Sequence, residues 1–225
     1  MRSVTLSILS VFFIILLFNI QVVSGNDPGF DFDKISLSLN NIIYNVEKRY
    51  RCSGFSADFV QKSTIKSMQI TDTASGTLYV KYPSMIRWEY SLPEKQIVII
   101  NAINLWIYRP EDKQVMFGKA PSYLGKIFFA DVKSIRQNFD ISLEKGGQDN
   151  YYLLKLVPKR GEFDISHIYI YVSRYRFEIF KVTIYNLYGD ETATELKKLK
   201  FNIKLNDSMF VFRRPRGVDL LNIDK

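Results

Sequence analysis

The stretch Met85–Pro110, MIRWEYSLPEKQIVIINAINLWIYRP, decides the fold. It reads as three short strands in a row. IRWEY is broken by Pro93, QIVII by Asn101-Ala102, and NLWIY by Arg109-Pro110. A strand with one wet face alternates apolar and polar residues. Here Ile97 to Ile100 is apolar on both faces, and both tryptophans of the chain, Trp88 and Trp106, lie in this one stretch. Either the sheet is covered on both sides or one face is kept for an apolar guest.

Strand-like runs continue on either side. Upstream stand GFSADFVQKS and SGTLYVKYP; downstream stands KQVMFGK, and later FDISLEKG, NYYLLKLVPK, DISHIYIYVS, FEIFKVTIYNLYG and TATELKKLKFNIKL. Each is short and bounded by turn-forming residues, the mark of an antiparallel meander. EKGGQDN, SRYR and YGDE read as hairpin turns. The tail FVFRRPRGVDLLNI reads as irregular or as a last edge strand.

Two segments carry helical rather than strand periodicity. In FDFDKISLSLNNIIYNVEKRYR the apolar residues Ile35, Leu39, Ile42, Ile43 and Val46 recur at spacings suited to one helix face. Asp31 or Asp33 is the expected cap, and the basic end suits the helix dipole. A second segment, APSYLGKIFFADVKSIRQNF, places Leu124, Ile127, Phe128, Val132 and Ile135 on one or two short helices, with Gly125 a weak point. A sheet of roughly ten or eleven strands curls or closes. The expected fold is therefore mainly β: a curved, incomplete antiparallel β-barrel, covered by an N-terminal helix and an inserted helical segment.

Residues 1–25 read separately, as a signal peptide with one early charge, Arg2, then an apolar run, with Val23 and Gly25 suited to cleavage before Asn26. An uncleaved anchor is the other reading, since the charge-free run has bilayer-spanning length. Residues 26–225 read as one domain, without repeats or low-complexity linkers. Net charge is +8. A secreted chain of that charge suits an anionic surface or an acidic partner, or simply a solvated face, better than nucleic acid. Cys52 is the single cysteine and forms no internal disulfide. It follows KRYR, not a lipid-attachment motif.

Nothing points to catalysis. The single histidine, His167, stands in a strand run without a nucleophile–base partner set. Metal-ligand spacings, phosphate loops and hydrolase elbows are absent from the sequence. No catalytic residue, metal or cofactor is expected.

One resemblance gathers these pieces. Gly76, Leu78, Val80, Pro83, Trp88, Tyr90, Pro93, Leu105, Trp106, Tyr108 and Pro110 follow in order the pattern of LolA-type outer-membrane lipoprotein carriers. Upstream, FSADFVQK is similar to that family's F-x-A-x-F-x-Q strand. Downstream, FVFRRPRGVDLL is similar to its F-x-F-x-P-P-x-G-V-D ending. The chain departs from the pattern at Tyr82, where the family often has an arginine associated with the lid and with handing cargo on. It departs again at Asn101-Ala102, in place of an Asp-Gly turn. Tyr82 keeps a hydroxyl donor but lacks the charge.

The resemblance implies a periplasmic carrier, a monomer that binds the acyl chains of lipoproteins released from the inner membrane and delivers them to the outer membrane. The implied partners are acylated lipoproteins, an inner-membrane ABC lipoprotein-release complex and an outer-membrane acceptor. Period-two alternation puts Ile86, Trp88 and Tyr90 on one face. By the resemblance that face, with Leu78 and Val80, lines the acyl-chain cavity. Ile35, Leu39, Ile42, Val46, Leu124, Ile127 and Phe128 belong to the lid, and Tyr82 to its gating position. The alternatives are a half-barrel lipoprotein sensor and a membrane-anchored binding protein without shuttle activity.

Overall fold

A computed structural model describes residues 37–120, 131–145, 150–159 and 164–224, with 132–134 described by backbone alone. By its contacts the chain divides into two units, Met1–Ser36 and Leu37–Lys225. All described residues belong to the second. The expected signal segment, the caps Asp31 and Asp33, and the lid residues Ile35, Leu124, Ile127 and Phe128 lie outside them.

Helix α1 spans Leu39–Tyr50. Its cap is Ser38, whose side chain accepts from the Asn41 backbone N–H at 3.3 Å, rather than either aspartate expected from the sequence. Ile42, Ile43, Val46 and Tyr50 are its buried face, and Lys48 and Arg49 occupy its last turn.

The sheet begins with β1 (Gly54–Ile65), β2 (Ile70–Lys81), β3 (Met85–Leu92), β4 (Gln96–Asn101), β5 (Asn104–Arg109) and β6 (Gln114–Lys119). A short helix α2 (Val132–Asn138) leads directly into β7 (Phe139–Leu143). There follow β8 (Tyr151–Pro158), β9 (Ile165–Ser173), β10 (Ile179–Asn186) and β11 (Glu191–Phe201), then a 3₁₀ turn (Asp207–Phe210) and β12 (Asp219–Asn222).

The twelve strands form one curved, open sheet in the order β12-β6-β5-β4-β3-β2-β1-β11-β10-β9-β8-β7. The count exceeds the expected ten or eleven because the tail supplies β12, which pairs parallel to β6; the other pairings are antiparallel. β12 and β7 are the edges, so the barrel stays incomplete. The strands β1 and β11 join the two hairpin runs at the centre. The chain between β6 and β7 must therefore travel from near one edge to the other. Of that connection, α2 contributes Ile135 to the core cluster that also holds Ile42, Val46 and Tyr50 of α1.

Two turns are informative. β4 and β5 are joined by Ala102-Ile103, with Ala102 at φ +54°. A type I′ turn requires positive φ at both central residues; here only the first has it, so replacing Asp-Gly changed the turn rather than the pairing. The β1–β2 hairpin is longer than its sequence suggested, reaching Ile65 opposite Ile70. Its outer half is rich in Thr, Ser and Lys, which hides the strand from an apolar-periodicity reading.

Candidate functional site

Cross-strand register turns the strands' alternation into three rungs on the inner face. The first rung runs Phe55, Val80, Ile86, Ile100, Leu105. All five are buried, in one cluster with Ile42 and Val46 of α1. The second rung begins buried, at Ala57 and Leu78, and then opens: Trp88, Val98, Ile107 and Met116 are half-buried. The third rung is Phe59, Gly76, Tyr90 and Gln96, buried only at Phe59 and half-buried beyond it. Burial thus falls along β2 to β5 away from the C-terminal end of α1, and in the second and third rungs it falls across the sheet from β1 toward β6. The half-open strip from Trp88 to Met116 crosses three strand spacings, about 14 Å at the usual inter-strand distance.

The aromatic centre of that strip depends on a glycine. A Cβ on Gly76 would lie 1.9 Å from the Glu89 carbonyl oxygen, so no other residue fits there. Without a side chain on β2, the rings of Phe59 and Tyr90 meet across it edge-on at 4.9 Å. Trp88 meets Phe59 at 4.7 Å and stacks on Tyr90 at 6.3 Å. The Tyr90 hydroxyl donates to Gln61 Oε1 at 3.1 Å. Burial pushes the Tyr90 phenol up to about 12. The strip is therefore an uncharged aromatic floor at any physiological pH.

Helix α1 is seated most firmly at its C-terminal end. The Tyr50 hydroxyl accepts from the Ile179 N–H at 2.9 Å, and its ring meets Phe55 and Phe201 edge-on, each at 5.3 Å. Burial raises the Tyr50 phenol well above its ordinary range. Arg49 pairs with the buried Glu178 and lies 4.1 Å over the Phe201 ring. Near the other end, Arg136 of α2 donates to Asn40 Oδ1 at 2.7 Å, an exposed contact. Helix α1 is thus held by a buried aromatic anchor at its C-terminal end and by a solvated hydrogen bond near its N-terminal end.

The outer face of the same strands is partly covered by the chain's own tail. Ile99 and Val115 are buried there, apart from the inner cluster, together with Phe210 and Val218 of the tail. Trp106 stacks between Phe117 (4.2 Å) and Phe212 (5.2 Å), and Tyr108 lies 5.5 Å from Phe212. The tail is fastened by Arg87 to the Met209 carbonyl at 2.9 Å, by Asn101 to the Phe210 carbonyl at 3.3 Å, and by Lys81 to the Leu205 carbonyl and the Asp207 carboxylate. So the apolar run Ile97–Ile100 has two destinations. Outward, Ile99 is buried on the face that the tail packs against; inward, Val98 lies on the half-open strip and Ile100 in the buried first rung.

Of the sequence-predicted site residues, Leu78, Val80 and Ile86 lie fully buried at the α1 end, and Trp88 and Tyr90 lie half-buried on the strip. Ile42 and Val46 pack on the same cluster and Leu39 borders it. Tyr82 is 60 % exposed in the β2–β3 turn, where its N–H donates to the carbonyl of Ser53, just past α1. Sequence reasoning missed Phe59, Val98, Ile107 and Met116 as strip residues. Period-two counting from Trp88 along β4, β5 and β6 would have reached them had the register been known. Phe210 and Phe212 were noted only as part of a motif; the F-x-F alternation was the signal that both face one way.

The remaining candidates are structural. His167 stacks on Tyr185 at 4.6 Å with Nδ1 3.0 Å from Ser166 Oγ, and burial, then the nearby Lys155 charge, lowers its pKa. Cys52 is a free, half-buried thiol, 3.5 Å from the Gly54 carbonyl. Among the described residues no group of three His, Cys, Asp or Glu could hold a metal.

Comparison with known proteins agrees with this geometry. Residues 51–213 match the family model described as outer membrane lipoprotein carrier protein LolA. The outer-membrane lipoprotein carrier protein of Nitrosospira multiformis is 29% identical over 171 residues, covering 74% of this chain and 81% of that protein. That of Neisseria gonorrhoeae is 24% identical over 172 residues, covering 75% and 81%. Among solved structures, an uncharacterized conserved protein from Thermus thermophilus superposes with a TM-score of 0.52 at 15% identity, covering 83% of this chain and 99% of that one. With the family model spanning most of the chain and the half-barrel intact, this chain belongs to the LolA family of outer-membrane lipoprotein carrier proteins.

Proposed function

We propose that the protein binds the acyl chains of lipoproteins along the Trp88–Val98–Ile107–Met116 strip and ferries them across the periplasm. The observation that carries this reading is the make-up of β3–β6: apolar on both faces, with the chain's own tail packed against one and a half-open apolar strip on the other. Each methylene moved from water onto such a surface is worth about 0.8 kcal/mol, so an acyl chain supplies its own driving force. The family is one of non-enzymatic carriers, and binding of this kind requires no bond to be made or broken.

In this reading residues 1–25 direct export and 26–225 form a single carrier domain. The described residues include no helix long and apolar enough to cross a membrane. An inner-membrane ABC lipoprotein-release complex loads the strip, and an outer-membrane acceptor unloads it. Leu78, Val80 and Ile86 form the closed end of the cavity. Helix α1, through Leu39, Ile42 and Val46, is the lid with its pivot at Tyr50, and the 120–138 connection, with Leu124, Ile127 and Phe128, completes it. Tyr82 stands beside the pivot loop and acts on opening through Ser53.

The test is release in vitro. Vesicles carrying a radiolabelled lipoprotein and its ABC release complex are incubated with the protein, with and without ATP. The expected result is an ATP-dependent soluble one-to-one complex that Trp88→Glu abolishes. Absence of any soluble complex with a folded wild-type protein and its cognate release complex overturns the carrier reading.

A further inference from the structure

The second rung does not end at Met116. Strand β12 pairs parallel to β6 in the register Leu220↔Val115 and Leu221↔Met116. Side chains alternate along a strand and paired residues share a face, so Leu220 goes outward with Val115 and Leu221 inward with Met116. The notch at Gly118, which pairs with the inward Leu105, fixes the same alternation: a Cβ there would lie 2.5 Å from Ile223 Cγ1. β12 is fastened along its length. The Asp219 N–H donates to the Lys113 carbonyl at 2.8 Å, the Ile223 N–H to the Phe117 carbonyl at 2.9 Å, and the Lys119 N–H to Asp224 Oδ1 at 3.0 Å. Among the described residues no strand lies beyond β12, and Leu221 is 46% exposed. The rung therefore runs from the fully buried Leu78, through the half-buried strip, to an open mouth at Leu221. The third rung changes character in the same direction. Over β1–β3 it is Phe59, Gly76 and Tyr90, whereas from β4 outward it is Gln96, Arg109, Gln114 and Asp219.

We infer that the cargo's acyl chain lies across the strands in one direction, its methyl end toward β2 and its ester end at β12, where Leu221 is the last apolar contact. The inference deepens the carrier reading and rests on it. An acyl chain spans half of a hydrocarbon core about 30 Å thick, or about 15 Å. Trp88 to Met116 is about 14 Å, so a chain seated against Trp88 reaches β6, and its ester falls beside Leu221, about 5 Å further on. Ester oxygens and the attached polypeptide must stay hydrogen-bonded or in water. The closed end offers neither: Ala57, Phe59 and Leu78 are buried, and the Tyr90 hydroxyl is engaged with Gln61. The β12 end offers both. Its edge is open, and in the adjacent rung the Gln114 amide and the Arg109 guanidinium are donors. The acylated end of the cargo thus leaves the sheet over β12, not over the β1–β2 ribbon.

The experiment is photo-crosslinking of the full chain to a synthetic diacylated lipopeptide, with a diazirine placed either beside the ester or near the methyl end of one acyl chain. Labelled peptides are mapped by mass spectrometry. The expected result is that the ester-end probe labels peptides covering 114–119 and 217–224, and the methyl-end probe those covering 76–90. A reversed pattern, or the same pattern from both probes, overturns the inference and leaves the carrier reading standing. No labelling by either probe overturns both. Two adjacent leucines of β12 give a second measurement, since Leu220 and Leu221 are 47% and 46% exposed and face opposite ways. Leu221→Glu should weaken lipopeptide binding about tenfold, and Leu220→Glu should leave it unchanged. Both positions are exposed, so both variants keep the fold, as circular dichroism checks. Equal effects of the two substitutions overturn the assignment of Leu221.

Discussion

The chain's two tryptophans sit in neighbouring parts of one sheet and face opposite ways. Trp106 points outward and is closed in by Phe117 and by Phe212 of the tail. Trp88 points inward, stands against Phe59 and Tyr90, and borders the half-open strip. Both are half-buried aromatic strand residues, and nothing in their immediate sequence separates them. The difference is what covers the face. An apolar face that meets its own chain stabilises the fold. One that is left half-open is available to a guest.

The largest expected effect breaks the side that the tail covers. Phe210 of the tail is 1% exposed. Phe210→Ala should lower unfolding stability by about 3–5 kcal/mol, as for other buried phenylalanines, measured by urea denaturation. The molecules that stay folded should still take up a fluorescent fatty-acid probe with wild-type affinity. If binding falls in step with stability, the two faces are not separable.

The tryptophans themselves give the sharper test. Trp88→Ala should weaken probe binding about tenfold or more, since several apolar contacts go with the ring. Trp106→Ala should cost about 2 kcal/mol of stability and little binding. The reverse pattern would exchange the roles assigned to the two faces.

Titration compares the faces by another route. Tyr90 on the inner face and Tyr185 on the outer are both pushed up to about 12, from an ordinary 10.0. Burial is the largest cause in each; for Tyr185 the Glu191 carboxylate, which accepts its hydroxyl at 2.8 Å, adds to it. A phenol whose folded pKa is raised contributes stability below pH 10 that is lost as pH rises toward 12. Tyr90→Phe and Tyr185→Phe should each flatten that alkaline fall. Bound acyl cargo should move the Tyr90 titration further up and leave Tyr185 in place, as read by ultraviolet absorbance of the two single-Phe variants.

The smallest effect lies in the turn that departs from the family pattern. Ala102 at φ +54° bears a left-handed strain that glycine lacks. Ala102→Gly should raise stability by about 0.5 kcal/mol, the relief being partly offset by glycine's chain entropy, with no change in binding.

The strands were legible because apolar alternation and turn residues are local signals. Each of the eleven expected runs has its strand, and the resemblance from Phe55 to Asp219 pointed to the family. The missed features are non-local or locally masked. The outer half of the β1–β2 ribbon escaped because its residues are polar, and the ladder is held by backbone pairing rather than by a buried face. Ser38, not Asp31 or Asp33, caps α1 because the chain joins the helix late, a boundary that apolar spacing alone does not mark.

The sequence by itself determined that the chain makes a large antiparallel sheet with a helix before it and an insertion within it, and that Ile86, Trp88 and Tyr90 share a face. Only the tertiary structure decided which apolar face is filled. Alternation fixes the side on which a residue lies, but not what packs against that side. That depended on a tail more than a hundred residues away from Trp88 folding back over the outer face.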